Sequence, residues 1–348
     1  MEAAAPRSSR FPGTLRHAAS VLLGVALVAG AASSCSSGGD ERLTIYSGRN
    51  QELIEPLLEE FSADTGIGID VRYGDSADLA LLIDEEGEQS PADVFLSQSP
   101  GSMGYLDSKG RVQALGDTVL DLVPGRFRAD DGHWVGVSGR VRVLVYNPDL
   151  VSEDDLPASI FDVTGPQFRG QLGVAPENAS FQDFVTAMRD VEGEARTKEW
   201  LDGLVANDVK TYANNLAIVE AVARGEIEYG LVNDYYLSEL QAQDPDLEAR
   251  NYYFPEGDLG SLILETTAGV LDTASDPAQA ERLIEYLLSK KAQRFYADET
   301  FEYPLARGVA SDPDKPRLSS ITSPTIDLSS LGDGLIKTRQ LIADSGLR

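Results

Sequence analysis

The chain has 348 residues, enough for two domains that each bury a core, which excludes a peptide or a disulfide miniprotein. Its 57 acidic against 29 basic side chains give a net charge of −28 with no long basic run, so a phosphate backbone would be repelled and nucleic acid is excluded as a partner. One cysteine, Cys35, and two histidines, His17 and His133, leave no internal disulfide and no Cys- or His-held zinc cluster, whereas oxygen donors, 13 tyrosines among them, are plentiful.

Arg7, Arg10 and Arg16 followed by the uncharged stretch Ala18 to Ala32 read as a targeting segment, too short to span a membrane comfortably. Ala32-Ser33-Ser34-Cys35, running into Ser36-Ser37-Gly38-Gly39, resembles a bacterial lipoprotein cleavage box and tether, although Ala32 stands where that pattern prefers Leu. An ordinary secretory signal with an incidental cysteine is the alternative. On either reading the mature chain is exported; residues 1–34 form the signal peptide, 35–40 a flexible tether, and Cys35 is the expected lipidation site.

Leu43 to Ser47 has strand character, and Asn50 is placed to cap a helix in which Leu53, Leu57 and Phe61 recur every four residues beside Ile54 and Leu58. Ile67 to Tyr73 alternates as a strand, Asp78 to Glu86 reads as a helix, and Ala92 to Leu96 as a third strand. Trp134 to Tyr146 is a long β run in which Val141, Val143 and Val145 alternate with Arg140, Arg142 and Leu144, and it is long enough to cross between two lobes. The alternation resumes with strand 171–175, helices 181–191, 197–204 and 216–224, strand 228–232 and helix 236–243. Strands at 252–254 and 262–270, helices at 277–288 and 291–298, a Ser/Pro/Asp-rich connection at 311–324 and a helix near 331–342 complete the chain. Strands alternating with helices indicate an α/β fold with largely parallel sheets, and no repeat of a solenoid or propeller is visible.

Walker-type phosphate loops, dinucleotide glycine fingerprints, His-Glu-x-x-His and nucleophile-elbow patterns are absent, and no enzyme class is indicated. Ser138 would need a base, and the mature chain has only His133. What stands out is Leu231-Val232-Asn233-Asp234-Tyr235-Tyr236-Leu237, which puts two adjacent phenols where a strand ends and a helix begins, the place where open α/β sheets bind ligands. Neighbouring side chains diverge within a strand or a helix, but at such a junction both can turn toward one point. A phenol with an ordinary pKa of about 10 ionises near neutrality only when a strong cation replaces its proton, and ferric iron is such a cation. An incidental pair, one ring in the core and one on the surface, is the alternative. Tyr252-Tyr253 serves as the internal contrast: inside a strand its two rings should face opposite ways.

With these residues in place, the chain resembles the bacterial periplasmic ferric-iron-binding proteins of ABC transporters, over roughly Leu43 to the C-terminus. The landmarks, in order, are Leu43-Thr44-Ile45-Tyr46-Ser47-Gly48-Arg49-Asn50, Ser90-Pro91-Ala92-Asp93-Val94-Phe95, Trp134-Val135-Gly136-Val137-Ser138-Gly139-Arg140, Asn233-Asp234-Tyr235-Tyr236 and Glu302-Tyr303-Pro304-Leu305. The resemblance implies a two-lobed clamp of type II, each lobe a mostly parallel sheet flanked by helices, with lobe 1 at 41–137 and 265–312 and lobe 2 at 138–264 and 313–348.

It further implies that Tyr235 and Tyr236 bind Fe3+ as phenolates. Where certain members add a His and a Glu, this chain has Asn50 and Gln98, neither a strong ferric ligand. Other members use a tyrosine of the interlobe strand, and Tyr146 takes that place, so that three phenolates would cancel the +3 charge. Ser138, Gly139, Asn215 and Asn233 match positions that hold a synergistic anion such as carbonate or phosphate. Arg49 and Arg140 are added here because a guanidinium fork suits an oxyanion, with a surface ion pair as the alternative. Gln98 and Asn50 are placed to hydrogen-bond the anion or an iron-bound water. The implied partners are an ABC permease and, through the lipid, the membrane; the protein is expected to be a monomer and not an enzyme. A binding protein for another small ligand (phosphonate, sulfate, thiamine or polyamine) is the rival reading.

Overall fold

In the structure, a computed structural model, residues 42–255, 257–324, 326 and 331–347 are described. The leader, the tether and the lipidation call at Cys35 fall outside them.

Leu53, Ile54, Leu57, Leu58 and Phe61 are the buried face of α1 (Gln51–Thr65), as their spacing requires, and Gly66 ends the helix in the left-handed region (φ 74°) with its N–H on the Ser62 carbonyl. Asn50 occupies the N-cap position but makes no capping hydrogen bond. Around α1 lie β1 (Leu43–Ser47), β2 (Ile69–Tyr73), α2 (Ser76–Glu86), β3 (Val94–Ser97), α3 (Pro100–Ser108) and the short α4 (Asp117–Leu120). β4 (Trp134–Tyr146) follows, buried along its whole length. The next stretch holds β5 (Leu172–Val174), α5 (Ala179–Glu192), α6 (Glu194–Ala206), β6 (Lys210–Thr211), α7 (Asn215–Ala223), β7 (Tyr229–Asn233), α8 (Tyr235–Gln243) and β8 (Arg250–Tyr252). The chain then returns through β9 (Ile263–Val270), α9 (Pro277–Leu287), α10 (Lys290–Asp298) and β10 (Tyr303–Pro304) to the terminal α11 (Leu331–Ser345).

One mixed sheet runs in the order β2-β1-β3-β9-β4-β7-β5-β6. β1, β2 and β3 are parallel at one end, and β5, β6 and β7 at the other. β4 joins the two. Its residues 134–141 pair antiparallel with β9, and its residues 142–146 pair antiparallel with β7. It therefore changes neighbours between Val141 and Arg142, a few residues beyond the expected lobe boundary at 137.

Side-chain parity along β4 sorts the second half's core. Val141, Val143 and Val145 pack on one face with Val232, Tyr235 and Tyr236, while Leu144 and Tyr146 pack on the other with Phe168, Phe184 and Trp200. α11 touches both halves of the molecule. Its Leu335 enters the cluster containing Met103 and Tyr105, while its Ile342 and the following Leu347 enter the one containing Phe184 and Trp200. Thr338 bonds Thr186 of α5 at 2.7 Å, and Arg339 pairs with Asp78 of α2 at 3.1 Å.

Candidate functional site

The β7–α8 junction is pinned to the crossing strand. Asp234, wholly buried, donates its backbone N–H to the Val141 carbonyl and accepts the Val141 N–H on Oδ1, both at 2.9 Å, while its Oδ2 takes the Lys315 ammonium at 2.9 Å. The next two side chains are thereby fixed. Tyr235 and Tyr236 are both buried, with ring centroids 4.1 Å apart at 33°, so the core-and-surface alternative does not hold. Tyr252 and Tyr253 behave as the contrast requires, packing against opposite-face clusters.

Gln98, just past β3 on the other half of the sheet, donates from Nε2 to the Tyr235 hydroxyl at 3.0 Å. Its backbone N–H is held by Ser76 Oγ at 3.0 Å, in a turn so tight that a Cβ on Gly48 would stand 1.9 Å from that oxygen. Gln98 also lines a cleft of about 950 Å³ with Asn50, Asp75, Gln182, Asn214 and Arg339. The phenols lie behind it, closed to solvent.

Burial pushes the Tyr235 phenol well above its ordinary value, and the neighbouring Tyr236 and Glu302 add to the shift against Arg49 and Arg140. Tyr236 is raised by burial too, in part offset by its hydrogen bonds with Tyr235 and Gln98. Both are therefore neutral phenols at neutral pH. They open α8, whose unpaired N–H groups and dipole favour negative charge at that end.

Three buried arginines surround the pair. Arg49 is no surface ion pair. It forks Glu302 at 2.8 and 2.6 Å and donates to Thr266 Oγ1 at 2.9 Å, with Ser138 Oγ and Thr300 Oγ1 completing the Glu302 carboxylate at 3.0 and 2.9 Å. Burial opposes both charges, but their mutual attraction prevails, raising the Arg49 guanidinium and lowering the Glu302 carboxyl. With its fork filled, Arg49 is not the free anion clamp expected. Arg140 donates to the Gln98 carbonyl and to Ser180 Oγ (3.2 Å).

Arg142 donates to Asn233 Oδ1 (3.0 Å), Asn215 Oδ1 (3.4 Å) and the Leu231 carbonyl (3.0 Å), and burial followed by the charge of Arg140 brings it down to about 9. A cation held by neutral acceptors in this way calls for a nearby negative charge. Asn215 Nδ2 is buried with no partner among the described residues, and Gly139, where a Cβ would come 2.8 Å from Leu305, lies between Ser138 and Arg140 on β4.

The structure does not bring Tyr146 to the pair. Arg142 stands opposite Asn233, but Tyr146 stands opposite Tyr229, four residues further along β4, or about 13 Å. On the face it shares with Arg140 and Arg142, its side chain packs into the core of Phe168, Phe184 and Trp200. Register thus keeps Tyr146 from completing a three-phenolate set with this pair.

Several residues of the site were not anticipated. Arg142 had a visible signal, since two arginines two apart in an apolar strand share one face. Asp183 had none: it takes the Ser99 hydroxyl at 2.7 Å across the two halves, and burial raises it to about 7. His133 pairs with Asp107 at 2.6 Å and lies near Asp131, and none of the three lines the cleft.

The family profile for bacterial extracellular solute-binding proteins matches residues 43–302. The Fe(3+)-binding periplasmic protein of Serratia marcescens is 29% identical over 90% of this chain and 92% of its own length. Iron-bound HitA from Pseudomonas aeruginosa superposes with a TM-score of 0.84 at 32% identity, covering 88% of this chain and 99% of that protein. The Trichodesmium protein FutA (IdiA), in complex with iron and citrate ligands, superposes with a TM-score of 0.75 at 25% identity, over 88% of this chain and all of the other.

Proposed function

The chain belongs to the bacterial extracellular solute-binding protein family, and from that premise we propose that it is an exported ferric-iron-binding protein that hands Fe3+ to an ABC import permease and catalyses nothing. One observation carries the reading: two stacked, buried phenols at the mouth of α8, bridged by Gln98 to the opposite half of the sheet. The iron-binding relatives support the choice of cargo.

Ferric iron is hard and triply charged, and two phenolates cancel two of its charges while releasing two protons. A small anion such as carbonate, phosphate or citrate supplies the remainder. The guanidinium groups of Arg140 and Arg142 and the amides of Asn215 and Asn233 form the polar wall that would orient it, and the Ser138 hydroxyl joins them once it turns from Glu302. Gln98 and Asn50 contribute hydrogen bonds from the cleft side. The two sheet halves act as lobes that hinge where the chain crosses on β4 and β9, and Cys35 carries the lipid that keeps the protein at the membrane.

Titration of the purified protein with ferric citrate tests this. A visible phenolate-to-iron band should appear and vanish in Tyr235→Phe and Tyr236→Phe with the fold intact; a colourless parent would overturn the reading. The buried arginines favour one alternative, an oxyanion such as phosphonate or sulfate as the cargo itself. In that case the anion would bind with full affinity in the complete absence of iron.

A further inference from the structure

β9 presents Thr266 to Arg49 and Arg140 on the cleft side. By strand alternation its neighbour Glu265 points the other way, behind the crossing strands. There it is wholly buried, and neither carboxyl oxygen has a hydrogen-bond partner among the described residues. Such a group costs free energy unless something occupies its lone pairs. It faces a cavity of about 330 Å³, within the usual range of small-ligand sites, whose walls include the apolar Phe127, Leu262, Ile263 and Ile326 and the polar Thr322 and Ser323, with Arg126 also lining it. Arg126 is exposed, and its guanidinium lies over the Phe127 ring, 4.4 Å from the centroid.

We propose that this cavity is a second binding site, separate from the iron site, that takes a compact aliphatic primary ammonium ion with Glu265 as its anchor. An ammonium group carries three donors and can satisfy both free oxygens of one carboxylate, while the apolar side of the cavity, Phe127, Leu262, Ile263 and Ile326, receives a chain of a few carbons. The carboxyl is held up at about 8 by burial, with Asp183 raising it further, and the charges of Arg140 and Arg126 that pull it down do not restore the ordinary carboxylate value. A contacting cation would.

The probe is n-butylammonium chloride, with n-butanol as the neutral analogue of similar size and sodium chloride as the salt control, followed by calorimetry and ligand-observed NMR on the iron-free protein at pH 8. Butylammonium should bind at least tenfold more tightly than butanol, and Glu265→Gln, which keeps the shape and removes the charge, should lose that preference while still binding ferric iron. Equal binding of the two probes, binding unchanged by Glu265→Gln, or no binding of butylammonium would overturn the proposal. If Glu265→Gln fails to fold, the comparison of the two probes on the parent decides alone.

Discussion

Counting protons is the sharpest test of the proposed iron site. Tyr235 and Tyr236 are both held above the ordinary phenol value by burial, so between pH 6 and 8 neither is ionised before the metal arrives. Loading must therefore expel two protons. Each one changes the apparent association constant tenfold per pH unit, so the parent should gain about a hundredfold per unit, or about 2.7 kcal/mol, after correction for the chelator. Tyr235→Phe removes one ionisable ligand and leaves the ring packing of the pair; its slope should fall to about tenfold per unit, with one proton released. Tyr146→Phe should match the parent in both, because the register sets Tyr146 about 13 Å along β4 from the residue opposite Asn233, inside a separate core cluster.

Competition against a chelator, followed at the phenolate band, gives the slope. A pH-stat in weak buffer gives the count, and citrate held constant across variants makes the differences report phenols alone. Three protons in the parent falling to two in Tyr146→Phe would refute the structural argument. So would a count unchanged by Tyr235→Phe.

Arg49→Met strips a wholly buried partner from Glu302 and should cost about 3–5 kcal/mol in urea denaturation at pH 8. The loss should shrink toward pH 5, as the abandoned carboxyl, now raised by burial alone, takes up a proton; a pH-independent loss below about 1 kcal/mol would contradict this. Asp183 is raised to about 7, so in the parent its burial removes stability as pH climbs from about 4 to 7, on the order of 4 kcal/mol at most. Asp183→Asn keeps the acceptor for Ser99 and should flatten that decline in pH-dependent denaturation. Small-angle scattering should show a smaller radius of gyration on loading if iron-free protein samples an open clamp, whereas identical profiles with iron demonstrably bound would count against hinge closure.

The α/β alternation was legible in the chain because apolar spacing of 3.6 and 2 residues maps directly onto buried faces, as in α1. α3 was not. Its run Pro100-Gly101-Ser102-Met103-Gly104 shows no apolar periodicity, yet Ser99 caps it on the Ser102 N–H and Pro100 to Leu106 are buried, with α11 more than 200 residues away packing against it. Sequence reveals helix propensity but not a distant partner that rewards burying small residues. The tyrosine pair was legible because a strand-to-helix junction converges its neighbours. Tyr146 was carried over from the resemblance and supported by counting charge, and neither of these fixes a strand register. The Arg49–Glu302 fork joins residues 253 apart in the chain, and only the folded sheet brings them together.

The terminal helix has a kinetic consequence. Leu335 is sunk in one half's core, Ile342 and Leu347 in the other's. Parting the halves must therefore withdraw at least one of these side chains into water, at about 1.5–3 kcal/mol each. On the clamp reading, α11 acts as a return spring that shortens the life of each opening, so ion entry and exit both wait on how often the halves part. Cutting the chain before residue 331 should release that tension, so that ferric iron both enters and leaves faster while the ligands around it stay the same.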